Sequence, residues 1–138
     1  METYTIKCLF FMDNLNVIKE SANIRFTFRK HEKIYKQREI DTVLKTGEKF
    51  FEKGLLVYIL KTDKTYSRIA ILVSHKVEKS AVIRNKFKRR IREIFRLNKH
   101  KIKIPVDIVV IATKLSVKQK YKFLEQSFLK ILELSGVL

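Results

Sequence analysis

Residues 81–99 read AVIRNKFKRRIREIFRLNK, and the spacing of their apolar and cationic side chains predicts a helix with two faces. Val82, Ile83, Phe87, Ile91, Ile94 and Phe95 recur at intervals that, at about 100° per residue, gather them on one side for burial. Arg84, Lys88, Arg92 and Arg96 form an adjoining stripe, each four residues from the last. Together with Lys86, Arg89, Arg90 and Lys99 they face a single acid, Glu93. Like charges four apart cost roughly 0.2–0.5 kcal/mol per pair, so a helix that stacks several of them is suited to meet a polyanion.

Reading outward from this helix, Gly54–Leu60 (GLLVYIL) and Arg68–Ser74 (RIAILVS) are rich in β-branched and aromatic residues and predict two strands. The polar KTDKTYS between them suggests an antiparallel hairpin. After the helix, Val106–Thr113 (VDIVVIAT) is apolar apart from Asp107, the pattern of a central strand buried on both faces. Ser116 and Gln119 have capping-box spacing ahead of a last helix, whose core face carries Val117, Tyr121, Leu124, Phe128, Ile131 and Leu132. Toward the N-terminus, Ile40, Val43 and Leu44 share a face of a short helix over Lys36–Thr46, with Gly47 placed as a left-handed terminator. A further strand is possible around Phe50 and Phe51. The order α-β-β-(β)-α-β-α predicts an α+β two-layer sandwich, with helices packed on a small mixed sheet.

The chain has 138 residues, 46% of them apolar, which suits one domain with a real core. We read residues 26–138 as a single domain, one whose cationic helix suits a polyanion such as RNA, and residues 1–25 as an N-terminal extension. Residues 13–30 lack clean periodicity, although Phe26 and Phe28 alternate as in a short strand. The opening Met1–Met12 is mildly apolar but too short for a secretory signal, and Met12 offers an alternative start.

A net charge of +17 makes nucleic acid the leading partner, since each neutralised phosphate releases condensed counterions. Other chemistry finds little footing. The lone Cys8 excludes an internal disulfide or a thiolate metal cluster and fits a reducing cytoplasm. His31, His75 and His100 are far apart, and Asp13, Asp41, Asp63 and Asp107 fall in different elements, where they read as solvated charge balance. No Gly-rich phosphate loop or zinc-protease motif occurs. No apolar run approaches the roughly 18–20 residues of a membrane span. A stand-alone nuclease therefore lacks candidate catalytic residues, whereas a ribosomal-type structural RNA-binding protein shares the size, charge and composition.

At this point the residue order becomes specific. VSHKVEKSAVIRNKFKRRIREIFRLNK resembles the signature of the bacterial ribonuclease P protein component, in which a strand end of V-S-K-K type leads into a helix beginning A-V-x-R-N-R-x-K-R-x-x-R-E. Arg84, Asn85, Lys88, Arg89, Arg92 and Glu93 match at the same spacing. IYKQREIDTVLKTGEKF, LLVYIL and DIVVIAT are similar to the family's first helix, next strand and closing strand, so the resemblance spans residues 26–135. It implies a left-handed βαβ crossover over residues 68–113. It also implies a cytoplasmic protein subunit of an RNA enzyme, with no obligate protein partner, in which the RNA cleaves the 5′ leader from precursor tRNA using Mg²⁺ bound mainly by the RNA.

Carried over by position, Arg84, Asn85, Lys86, Lys88, Arg89 and Arg92 are expected to bind the catalytic RNA. Ile40, Leu44, Leu56 and Tyr58, with Lys88 on the wall, are expected to hold the precursor tRNA leader. Ile40 and Leu44 are aliphatic where the family commonly has aromatic residues. Lys86 stands where the motif has its second arginine, and Glu78-Lys79 occupies a turn, one residue longer, where glycine is usual.

Overall fold

A computed structural model describes residues 27–138. Cys8, the Met12 start, Phe26 and the expectation of an N-terminal extension lie outside the described residues. The elements are α1 (Gln37–Thr46), β1 (Glu48–Glu52), β2 (Leu55–Lys61), β3 (Arg68–Leu72), α2 (Ala81–Asn98), β4 (Val106–Ile111) and α3 (Tyr121–Ser135). Short 3₁₀ turns at Lys30–Glu32, Lys99–Lys101 and Ser116–Lys118 join them.

The strands form one sheet in the order β1-β2-β4-β3. Pairing is antiparallel between β1 and β2 and between β2 and β4, and parallel between β3 and β4. The hairpin expected between β2 and β3 is therefore absent: β4 lies between them, and α2 is the crossover that carries the chain from β3 to β4. The tight hairpin is instead β1–β2. Its turn residues Lys53 and Gly54 both have positive φ, 47° and 90°, as a two-residue type I′ connection requires.

Strand alternation sorts the side chains into two cores. On one face Leu55, Val57, Ile59, Ile69, Ile108 and Val110 meet Phe87, Ile91, Ile94 and Phe95 of α2 and Leu124, Phe128, Ile131 and Leu132 of α3. This is the expected sandwich of helices on a mixed sheet. On the other face Ile34, Ile40 and Val43 close over Ala70 and Val109, with Leu44, Tyr58, Leu60, Leu72 and Ile111 partly buried at the margin. Every β4 side chain from Val106 to Val110 is buried, as its unbroken apolar run predicts.

Four local expectations need correction. Val82 and Ile83 are 73% and 39% exposed rather than buried, since the buried side of α2 begins only at Phe87. Gly47 does not adopt the left-handed conformation (φ −76°, ψ 160°). Glycine fits there for a different reason, since a Cβ would lie 2.6 Å from the Val43 carbonyl oxygen. Ser116 and Gln119 do not cap the last helix, which starts at Tyr121 with Lys120 as its N-cap residue. Ser116 instead accepts the Thr113 amide at 2.8 Å inside its own turn, while the Gln119 side chain donates to the Lys53 carbonyl at 2.6 Å.

The fourth correction concerns Asp107, which is buried within β4 and not solvated. Arg68, its direct partner on β3, donates to both of its carboxylate oxygens, from Nε at 3.0 Å and Nη2 at 2.7 Å. Arg68 Nη1 continues to Glu39 of α1 at 3.1 Å. The hydrogen bonds it donates to Asp107 raise the pKa of Arg68 above its usual value in spite of burial, so the guanidinium stays charged. This three-residue network joins α1 to the two strands beneath it.

Candidate nucleic-acid interface

Helix α2 owes its position to its apolar side. Phe87, Ile91, Ile94 and Phe95 are at most 1% exposed, and Ser80 opens the helix by accepting the Ile83 amide on its side chain. At the far end Asn98 Nδ2 donates to the Ile94 carbonyl at 2.8 Å, and Lys99 pairs with the buried Glu32 at 2.5 Å. With these residues fixed, the cations are left on the outward arc.

The expected cationic stripe divides into braced and open members. Arg84 Nη1 donates to the Glu78 and Lys79 carbonyls at 2.9 and 2.8 Å, so it braces the turn leading into α2. Glu78 accepts the Ser80 amide at 3.1 Å in the same turn. Arg90 Nη1 donates to the Gln119 carbonyl at 2.9 Å, tying α2 to the segment before α3. Arg96 is ion-paired to Glu93 one turn back, and its hydrogen bond holds the Glu93 carboxyl below the usual carboxylate range.

Lys86, Lys88, Arg89 and Arg92, by contrast, have no side-chain partner among the described residues. Asn85 and Arg89 are exposed, and Arg92 is half-buried one turn further along. The outward arc thus presents an amide and several unpaired cations on a rigid helix, the donor set that grips phosphate oxygens and base edges.

The second group of expected residues gathers on the sheet face that α1 only partly covers. Ile40 is 6% exposed and belongs to the packing beneath α1, whereas Leu44, Leu56 and Tyr58 are half-buried at the edge of the open area. Lys88 is half-buried on α2, whose apolar side packs against the opposite face of the sheet.

The strand register reveals a feature that periodicity does not. Phe51 pairs with Leu56, Leu56 with Ile111, and Ile111 with Leu72. One apolar row therefore crosses all four strands on this face. The neighbouring row, Lys49–Tyr58–Val109–Ala70, passes under α1, where Val109 and Ala70 are buried. In the open row Leu56, Ile111 and Leu72 are half-exposed and Phe51 is 63% exposed. Phe51, Ile111 and Leu72 were not among the expected site residues. The Phe50-Phe51 pair is the sequence signal, since consecutive strand residues face opposite ways and Phe50 already fills the α3 side.

An apolar floor beside α1 and a cationic helix give two surfaces of different chemistry, the first able to take flat apolar rings and the second suited to a polyanion. Among the described residues no helix is long and apolar enough to cross a membrane.

The sequence and the fold are similar to those of known proteins. The family model described as Ribonuclease P matches residues 28–134. The chain is 38% identical over 109 residues to the ribonuclease P protein component of Clostridium botulinum (strain 657 / Type Ba4), covering 78% of this chain and 97% of that protein. Among solved structures, a mutant of the Staphylococcus aureus RNase P protein aligns with a TM-score of 0.72 at 30% identity, covering 79% of this chain and 92% of that one. The RNase P protein from Thermotoga maritima aligns with a TM-score of 0.66 at 34% identity, covering 74% and 96% respectively.

Proposed function

The chain belongs to the ribonuclease P protein family, and from that premise we propose that its two surfaces divide the work of the ribonucleoprotein, α2 binding the catalytic RNA and the open sheet face holding the precursor tRNA leader. The protein is the protein component of ribonuclease P, the enzyme that matures tRNA 5′ ends, and catalysis belongs to the RNA subunit. Family membership implies association with both ribonuclease P RNA and precursor tRNA.

The single observation that carries the division is the contrast between the two faces. On α2, Lys86, Lys88, Arg89 and Arg92 have no partner among the described residues, while the sheet face beside Leu44 and Tyr58 is apolar and half-exposed. Asn85 and Arg89 reach outward to the catalytic RNA, and Lys86, Lys88 and Arg92 add phosphate contacts. Arg84 contributes chiefly by fixing the turn through the Glu78 and Lys79 carbonyls, leaving its remaining N–H groups for RNA. Leu44, Leu56 and Tyr58 line the leader site and Ile40 supports α1 from beneath; Lys88, on the helix packed against the opposite face of the sheet, serves the catalytic RNA instead.

Mg²⁺ would be held mainly by the RNA. Among the described residues the buried carboxylates are engaged within the fold: Asp107 receives Arg68 on both oxygens, and Glu32 receives Lys99 together with the Arg29 amide. Held by the RNA, such a metal would supply activation of the attacking water and stabilisation of the leaving oxygen. The protein's own contribution is to bind, orient and neutralise phosphate.

Tethered hydroxyl-radical cleavage tests the division. With Cys8 replaced by serine, an iron chelate on Val82→Cys, which is 73% exposed on the first turn of α2, should cleave the catalytic RNA in the holoenzyme. The same probe on Lys45→Cys, exposed on α1, should cleave the precursor leader. The reverse pattern would overturn the assignment.

A further inference from the structure

We propose that Phe51, on the edge strand β1, is a stacking platform for an unpaired base of the leader. This inference rests on the leader reading of the open sheet face and adds a residue to it. Single-stranded RNA is held without base-pair readout by exposed aromatic rings beside cationic side chains. On this face α1 offers no aromatic: Ile40 and Val43 are buried aliphatic residues and Leu44 is half-buried. Tyr58 is itself half-buried at the edge of the packing under α1. Phe51 is the exposed aromatic of the row, at 63% accessibility.

Three placements support this role. Phe51 pairs directly with Leu56, so its ring stands at the end of the apolar row that continues to Ile111 and Leu72. Lys49 lies two residues earlier on the same side of β1 and is exposed, which puts a cation beside the ring for the leader backbone. Leu72 is the last residue of β3, and the chain then turns through residues 73–80 into α2, so the row leads from Phe51 toward the strand that feeds the RNA-binding helix.

Among the described residues, Phe51 joins neither buried cluster. Phe50 already supplies the aromatic that packs toward α3, and an exposed phenylalanine on an edge strand invites association unless a ligand covers it. The neighbouring Glu48, Lys49 and Glu52 are the charged residues that keep such an edge soluble.

The test uses the holoenzyme assembled with a bacterial ribonuclease P RNA and two substrates, a precursor tRNA carrying a leader of several nucleotides and the same tRNA with a leader of one. The wild type is expected to bind the longer substrate more tightly. Phe51→Ala and Phe51→Leu should weaken binding of the longer substrate by about five- to a hundredfold, leave the shorter one unchanged, and so erase the leader preference. Phe51→Tyr, which keeps the ring, should bind as wild type does.

Unchanged leader preference in Phe51→Ala, or an equal loss for both substrates, overturns the assignment. Full preference in Phe51→Leu overturns stacking as its basis. Absence of leader preference in the wild type overturns the leader reading itself, a failure distinguishable from that of Phe51 alone.

Discussion

Arg68 and Asp107 face each other across β3 and β4 as direct register partners, joined by two parallel hydrogen bonds of 3.0 and 2.7 Å inside the protein. The fork-to-fork geometry fixes the parallel strand pair at the end where Glu39 of α1 also reaches Arg68. The pair therefore couples the hydrophobic sheet to the helix that walls the proposed leader site. Removing one partner leaves an uncompensated buried charge, so Arg68→Met or Asp107→Ala is expected to destabilise the fold by about 3–5 kcal/mol. The double variant Arg68→Met/Asp107→Leu should recover most of that loss. Urea unfolding midpoints check both, and additive losses would contradict the pairing.

Gly47 and Gly136 should respond to substitution for different reasons. A Cβ at Gly47 would lie 2.6 Å from the Val43 carbonyl and 3.1 Å from the Ile59 carbonyl, both backbone atoms that cannot swing away. Gly47→Ala is expected to cost about 1–3 kcal/mol by overpacking where α1 meets the sheet. Gly136 has φ 78° and open space around it, so Gly136→Asn, which tolerates the left-handed region, should change stability by less than about 0.5 kcal/mol. Thermal unfolding of the two variants separates steric from conformational demand.

Ser127 sits on the buried side of α3 at 1% exposure, with no hydrogen-bond partner for its hydroxyl among the described residues. A buried unpaired hydroxyl costs about 1–3 kcal/mol, and alanine is the better helix former. Ser127→Ala is expected to raise stability by roughly 1 kcal/mol. A clear loss in the urea midpoint would mean that the hydroxyl serves the packing between Leu124 and Phe128.

On α2, salt dependence distinguishes direct contact from bracing. Arg89→Ala should weaken binding to the catalytic RNA and lower the slope of log affinity against log salt by about one. Arg84→Ala removes the two bonds to the Glu78 and Lys79 carbonyls, so its loss of affinity should be accompanied by loosening of residues 74–80 in hydrogen exchange. Lys120→Ala, at the N-cap of α3, should affect neither to a comparable degree. Equal losses in all three variants would mean diffuse electrostatics.

Helix α2 was legible in the sequence because its apolar period and its charge order agree, and both are local properties. Its bounds, its core residues Phe87, Ile91, Ile94 and Phe95, and the buried β4 follow from spacing alone. Strand order did not follow, because the pairing of β2 and β3 with β4 is set by contacts across the α2 crossover. The Lys53-Gly54 turn, with both residues at positive φ, was the local sign that the hairpin lies one strand earlier. Asp107 could not be recognised as an ion-pair partner, since Arg68 is 39 residues away and each looks like ordinary charge in its own segment. For the site, family resemblance identified the two surfaces, but only the register brought Phe51 into the row with Leu56, Ile111 and Leu72.

The most direct test of the central claim is cleavage of a precursor tRNA by a bacterial ribonuclease P RNA at limiting Mg²⁺, with and without this protein. The protein is expected to raise the rate of correct 5′ cleavage, to show no cleavage in the absence of the RNA, and to lose most of the enhancement in the double variant Arg89→Ala/Arg92→Ala. No enhancement by the folded wild-type protein, or cleavage by the protein alone, would contradict it.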